Sequence, residues 1–381
     1  MTTAPQTTAP QTAPETTARA VAQHRAASSF APLRVAEVER LTADAVAITF
    51  EVPEHLREAY AFAPGQHLTL RTVVGGEEVR RSYSICSTPS SGRLRIAVKR
   101  LEGGLFSGHA TTGLRVGDVL DVMRPAGRFG VRLDPAHARH YTAVVAGSGI
   151  TPVLSVLGAV LETEPASRCT LVYGNRDAAS VMFLEELADL KDRYTTRLQV
   201  VHVLSREERD APLLHGRIDA ARLDALLDGL VRPEDVDAWL LCGPFGLVEQ
   251  VRTTLLARGV PASAVHLELF HVDGEQPRLV RPVPTGGQAT ATRVTVRLDG
   301  RSSTFAMPDE GSVLDATLAV RADAPYACKG GVCGTCRARV VEGAVQMARQ
   351  YALEDDERAE GFVLACQSVP TTPTLVLDFD A

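Results

Sequence analysis

Hydrophobic positions change their period twice along the chain. Between Phe30 and Leu133 they come in short runs, VAITFEV at 46–52, HLTLRTVV at 67–74, VRRSYSICS at 79–87 and RLRIAVKR at 93–100, parted by Gly, Pro and Ser. Strand-length runs of this kind predict a small antiparallel barrel or sandwich. From Tyr141 a buried run, YTAVVAG, is followed by Val153, Leu154, Val156, Leu157, Val160 and Leu161 at helical spacing. Further apolar runs at 169–174, 198–205 and 238–244 alternate with helical stretches around 181–194, 219–228 and 246–258. That alternation predicts a doubly wound α/β unit on a parallel sheet. Near Thr292 strand patterns return as RVTVRLDG and SSTFAMP, then a short helix over 313–321 and a cysteine-rich loop.

The chain of 381 residues therefore divides into folded segments over 29–136, 137–273 and 292–381. Residues 1–28 repeat Thr, Ala, Pro and Gln, with too little apolar surface to offset ordering, and read as a disordered tail. Residues 274–291 hold Pro, Gly and Thr without periodicity and read as a linker. A formal charge of -6 supplies no positive field for a nucleic-acid backbone. No apolar run reaches the roughly 18 residues of a membrane span, and the N-terminus lacks a secretory pattern, so a cytoplasmic protein is expected. The last segment is acidic, with nine basic against thirteen acidic residues from 293 to 381.

The sharpest chemistry lies there. Cys328, Cys333, Cys336 and Cys366 follow the C-x4-C-x2-C…C spacing of plant-type [2Fe-2S] ligation. Gly330, Gly331 and Gly334 would let the loop bend and aim N–H groups at sulfur. The fourth ligand is expected on the strand-like VLACQ. A structural zinc site is the plainer alternative, but it usually uses paired C-x2-C knuckles, and this loop has one. Lys329 reads as a solvated surface lysine.

In the first segment Arg81, Ser82, Tyr83 and Ser84 lie on a strand, which places Arg81 and Tyr83 on one face and the serines on the other. A flat aromatic beside an arginine fork could hold a flavin nucleotide, although an ordinary amphipathic strand would read the same. Ile96, Val98 and Lys99 precede the glycine-led turn of Gly104, Leu105, Phe106 and Ser107, whose N–H groups could meet a pyrophosphate. In the second segment Gly147, Gly149, Thr151 and Pro152 link a buried strand to a helix without forming the G-x-G-x-x-G fingerprint. Arg176 and, with Ser205, Arg206 end the next two strands, where together they could clamp a 2'-phosphate. Cys242, Gly243 and Pro244 end another strand; Cys242 could face a nicotinamide or be an ordinary buried cysteine. Glu268 and Phe270 share a face of the last strand.

Taken in order, RSYS, GGLFS, GSGITP, YGNR, LSRE, CGP and the four-cysteine loop resemble the ferredoxin–NADP reductase superfamily fused to a C-terminal plant-type ferredoxin. The resemblance covers about residues 30–381 and is similar in detail to the reductase components of multicomponent oxygenases. It implies an antiparallel β-barrel flavin domain, a doubly wound α/β nucleotide domain and a β-grasp ferredoxin domain. It implies FAD held by Arg81, Tyr83, Ser84, Val98, Lys99 and the turn from Gly104 to Ser107. It further implies Thr151 near the flavin ring, Ser205 and Arg206 on the 2'-phosphate of NADPH, and Cys242 and Glu268 flanking the hydride-transfer position. The expected activity is electron transfer from NADPH through FAD and a [2Fe-2S] cluster. The expected partner is a diiron oxygenase that epoxidises the ring of phenylacetyl-CoA, with a Rieske-type aromatic or steroid oxygenase as the alternative.

Overall fold

The computed structural model describes residues 30–272, 279, 292–308 and 310–381. The expected tail, and all of the expected linker except Leu279, lie outside the described residues.

Six strands build the first unit: β1 (Phe30–Thr42), β2 (Ala45–Glu51), β3 (His67–Val74), β4 (Glu77–Ser84), β5 (Leu94–Lys99) and β6 (Val119–Met123). They run in the order β4-β3-β6-β1-β2-β5, and a bridge between Ile85 and Ile96 brings the two ends together. The inner face of Leu33, Ile48, Leu68, Leu70 and Val122 is wholly enclosed. Two of these strands, β1 and β6, are absent from the four-run reading. In β1 the register shifts between Val35 and Glu37 and between Arg40 and Thr42, so its polar alternation slips twice. The turn expected at Gly104 continues into a helix, α1 (Leu105–Thr112).

The second unit is a parallel sheet of β7 (His140–Ala146), β8 (Arg168–Asn175), β9 (Leu198–Leu204), β10 (Ala238–Gly243) and β11 (Val265–Leu269). Helices α2 (Ile150–Thr163), α3 (Leu184–Arg193), α4 (Ala220–Gly229) and α5 (Phe245–Ala257) supply its covering layers. Asp219 caps α4 by accepting from the Arg222 N–H. The strand order β11-β10-β7-β8-β9 reverses direction between β7 and β10. In open α/β sheets that switch point opens a crevice at the carboxyl ends of the strands. Trp239, the chain's single tryptophan, is fully buried on β10.

The third unit contains β12 (Arg293–Leu298), β13 (Arg301–Ala306), helix α6 (Val313–Leu318), β14 (Arg337–Glu342), β15 (Val345–Met347), helix α7 (Asp355–Ala359), β16 (Phe362–Leu364), β17 (Ser368–Pro370) and β18 (Thr374–Asp378). Its main sheet runs β13-β12-β18-β14-β16, and α6 starts from a capping box between Ser312 and Asp315. The units are joined by specific contacts. Arg95 of the barrel reaches Glu186 of the nucleotide unit at 2.8 Å and Glu39 at 2.6 Å. Buried Arg80 stacks on Tyr326 of the third unit at 4.2 Å, and Arg128 pairs with Asp356 at 3.2 Å and with Glu357 at 3.3 Å. Val332 packs against the nucleotide unit's core, and Tyr351 meets Phe245 edge-on at 5.8 Å. Among the described residues no helix is long and apolar enough to cross a membrane.

Candidate functional site

The cysteine loop brings its four thiols together as two pairs. Cys328 lies beside Cys333, and Cys336 beside Cys366. Among the described residues no three metal-ligating side chains converge on one ion. Two pairs suit a two-iron cluster, in which each metal takes two thiolates. Backbone N–H groups already face sulfur: Gly330 N lies 3.3 Å from Cys328 Sγ and Cys366 N lies 3.5 Å from Cys336 Sγ. Two sequence expectations are corrected here. Cys366 sits on a one-turn helix over Ala365–Gln367 just after β16, not on a strand, because the Ser368 N–H closes a tight turn onto the Ala365 carbonyl. Lys329 is no freely solvated lysine: it adopts φ +52°, its ammonium pairs with Asp315 at 2.9 Å, and it lies over the Tyr326 ring at 5.1 Å.

In the barrel Tyr83 packs on Phe106, the first buried residue of α1, with ring centroids 5.3 Å apart. No side chain caps α1, so its leading N–H groups remain open to an anion. Ser107 is occupied locally, accepting from Leu101 N at 3.1 Å and donating to the Gly104 carbonyl. Arg81 is exposed, while the side chains of Ile96 and Val98 lie wholly within the barrel core and can offer a ligand only main chain. Lys99 turns to Asp44 at 3.7 Å. The open helix end, the exposed guanidinium of Arg81 and the braced Tyr83 ring together fit a flavin nucleotide.

At the switch point the structure joins two motifs that lie about ninety residues apart in sequence. A Cβ on Gly149 would come within 2.2 Å of the Cys242 carbonyl oxygen, so only glycine lets the two strand ends meet. Gly147 accepts the Tyr173 hydroxyl at 3.0 Å, Thr151 is buried and donates to the Ser148 carbonyl at 3.0 Å, and Pro152 is enclosed in the first turn of α2. Gly243 and Pro244 then lead directly into α5. Arg206 N donates to the Arg176 carbonyl at 2.7 Å, and Ser205 N to Asn175, which sets the two arginines side by side. Arg176 also pairs with Asp44 of the barrel at 3.1 Å, so its free side is shared with the other unit.

Cys242 and Glu268 are direct partners in the parallel β10–β11 register. Burial and the nearby carboxylate push the Cys242 thiol well up, so it stays protonated. Burial likewise pushes Glu268 up to about 8, partly opposed by the Ser84 hydroxyl, which donates to it at 3.1 Å across the unit boundary. Phe270, just beyond β11, is exposed. A cleft of about 820 Å³ opens here, lined among others by Glu268, His67, Gly127, Cys333 and Thr335.

Residues from all three units thus meet in one cleft. Two features of it escape sequence reasoning. His67 is buried, its pKa pushed down to about 4 by desolvation, and its Nε2 has no hydrogen-bond partner among the described residues. A hydroxyl series then runs from Ser82 to Thr69 at 3.0 Å and on to Thr335 of the cysteine loop at 3.3 Å. Neither carries a local motif; both arise from strand register and docking.

Comparisons with known proteins agree with this partition. Residues 32–130 match an oxidoreductase FAD-binding domain, residues 144–253 an oxidoreductase NAD-binding domain, and residues 296–371 a 2Fe-2S iron-sulfur cluster binding domain. The chain is 47% identical over 355 residues to a subunit of 1,2-phenylacetyl-CoA epoxidase from Escherichia coli (strain K12), covering 93% of this chain and 99% of that protein. It is 35% identical over 353 residues to the ferredoxin reductase component of 3-ketosteroid-9-alpha-monooxygenase from Rhodococcus rhodochrous, covering 91% and 96%. Among solved structures it is similar to phthalate dioxygenase reductase, with a TM-score of 0.52, 25% identity, and coverage of 92% of this chain and 98% of that one.

Proposed function

The chain belongs to the oxygenase reductases of the ferredoxin–NADP reductase superfamily, the family that includes its relative from 1,2-phenylacetyl-CoA epoxidase, and from that premise we propose that it carries electrons from NADPH to a diiron oxygenase that epoxidises phenylacetyl-CoA. The observation that carries this reading is the shared cleft, which Glu268 of the nucleotide unit, His67 of the barrel and Cys333 of the cysteine loop all line. When bound, FAD takes electrons in pairs from the nicotinamide and a [2Fe-2S] cluster passes them on singly.

The chain's own residues bind, orient and shield. Arg81 and the open end of α1 would hold the FAD phosphates, and Tyr83, braced by Phe106, would present a flat face to the ring. Ser84 fixes the Glu268 carboxyl, which keeps its proton at neutral pH, and Cys242 offers an uncharged, compact side chain beside it. Thr151, locked onto the Ser148 carbonyl, and the Gly147–Gly149 turn would bound the nicotinamide side of the crevice. Arg176 and Arg206, with Ser205, would receive the 2'-phosphate, which favours NADPH over NADH. Cys328, Cys333, Cys336 and Cys366 would be the cluster ligands. The domain limits follow as 29–136, 137–273 and 292–381, in a protein of the cytoplasm.

An anaerobic absorbance titration with NADPH and separately with NADH tests the reading, followed by the diiron epoxidase, phenylacetyl-CoA and oxygen. Flavin and cluster bands should bleach at lower NADPH than NADH and recover only with the complete epoxidase mixture. The 35% identity to a steroid monooxygenase reductase component supports a second reading, delivery to a Rieske-type oxygenase. Bleaching without recovery by the diiron epoxidase would keep the reductase and discard the phenylacetyl-CoA assignment.

A further inference from the structure

Resting on the assignment of the four cysteines as cluster ligands, we propose that Gln367 is a positioning residue that sets the hydrogen bonding of a ligand sulfur in each thiol pair, and through it the electron affinity of the site. Gln367 directly follows Cys366 and is 3% exposed. Its Nε2 donates to the Lys329 carbonyl at 2.8 Å and to the Cys366 carbonyl at 3.0 Å, and lies 3.7 Å from Cys366 Sγ. Turning the amide over would set two carbonyl oxygens against each other at the first of these contacts, so the donor orientation is fixed.

The Lys329 carbonyl and the Gly330 N–H belong to one planar peptide and point in opposite directions. Holding that carbonyl therefore aims the Gly330 N–H away from Gln367, and it lands 3.3 Å from Cys328 Sγ. One side chain thus acts directly on Cys366 and, through a peptide plane, on Cys328, one member of each thiol pair. The backbone at Lys329 needs such a hold, because φ +52° is a conformation a lysine seldom adopts. Its other end is tied by Asp315. The loop is also packed on this side chain: a Cβ on Gly331 would stand 3.0 Å from Gln367 Cγ. The arrangement carries a cost, since Gln367 Oε1 is buried without a partner. An apolar residue of the same size would avoid that cost; the N–H groups are what it would lose. Hydrogen bonds to cluster sulfurs favour the reduced, more negative state.

The test uses the full chain and a mediator-controlled redox titration read by electron paramagnetic resonance, with iron and flavin content measured alongside. In Gln367→Leu the cluster should become harder to reduce, its reduction equilibrium shifting at least threefold toward the oxidised form, with an altered resonance spectrum and the flavin titration unchanged. Gln367→Glu keeps the shape and removes the donor, so it should shift the same way if the leucine variant fails to retain iron. Loss of iron from both variants with flavin retained would support the hold on the loop. A cluster titration and spectrum in Gln367→Glu identical to the parent would overturn the proposal. A parent chain that binds no iron would overturn the ligand assignment beneath it.

Discussion

Glu268→Gln gives the most direct measure of the desolvated contact between the barrel and the nucleotide unit. Burial raises the carboxyl from the ordinary 4.5 to about 8, and Ser84 is its hydrogen-bond donor. Between those two values the folded chain holds a proton that the unfolded chain has released, so the unfolded state binds fewer protons and stability falls as pH rises. At about 1.36 kcal/mol for each pKa unit, the ceiling for the whole window is near 5 kcal/mol. Glu268 keeps some solvent contact, which relaxes the penalty, so we expect about 2–4 kcal/mol. Glutamine is neutral throughout and can still accept from Ser84. The substitution should therefore be nearly neutral at pH 5 and stabilising at pH 9. Trp239 is the chain's single tryptophan and is buried on the same strand as Cys242, so urea unfolding followed by its fluorescence reports from within this unit. An equal difference between variant and parent at both pH values would refute the reasoning.

Other substitutions probe the remaining parts of the site. Gly149→Ala places a methyl group 2.2 Å from the Cys242 carbonyl and should cost at least about 2 kcal/mol in the same Trp239 assay. Tyr83→Ala leaves Phe106 without its ring partner and should weaken FAD retention tenfold to a hundredfold, about 1.4–2.8 kcal/mol, measured by release of flavin fluorescence on dilution. Arg206→Ala should raise KM for NADPH about tenfold or more while leaving KM for NADH within about twofold, by steady-state kinetics with a dye acceptor. Arg128→Ala removes an exposed pair with Asp356 and leaves Arg337 beside buried Glu357 at 3.1 Å, so unfolding should change little. Hydrogen exchange over 355–359 should nonetheless rise, because this contact ties α7 to the barrel.

What could be read from sequence was local chemistry and regular periodicity. The cysteine spacing survives intact because three ligands must come from one short loop. The α/β unit was legible because parallel strands buried on both faces leave unbroken apolar runs. Strand β1 was not, since its register slips twice, and α1 is a short helix containing Gly108 that reads as a turn. The pairing of Ser84 with Glu268 spans 184 positions, and that of Arg176 with Asp44 spans 132, so nothing short of the folded chain announces them. Gln367 lies beside a ligand in sequence, yet its role depends on a peptide 38 residues away.

The grip on the cysteine loop has a consequence for traffic through the molecule. Thr335 touches the barrel and Val332 is set against the nucleotide unit, while Lys329 on the opposite stretch of the same loop remains partly open to solvent. The loop thus has one flank set against the other two units and one flank turned toward solvent. If the acceptor docks at the Lys329 side, the inner face stays clear of it, and the proposed cluster could be recharged with the acceptor still in place. Saturating the chain with its partner should then leave the rate of internal recharging unchanged, the behaviour of a relay station and not of a shuttle.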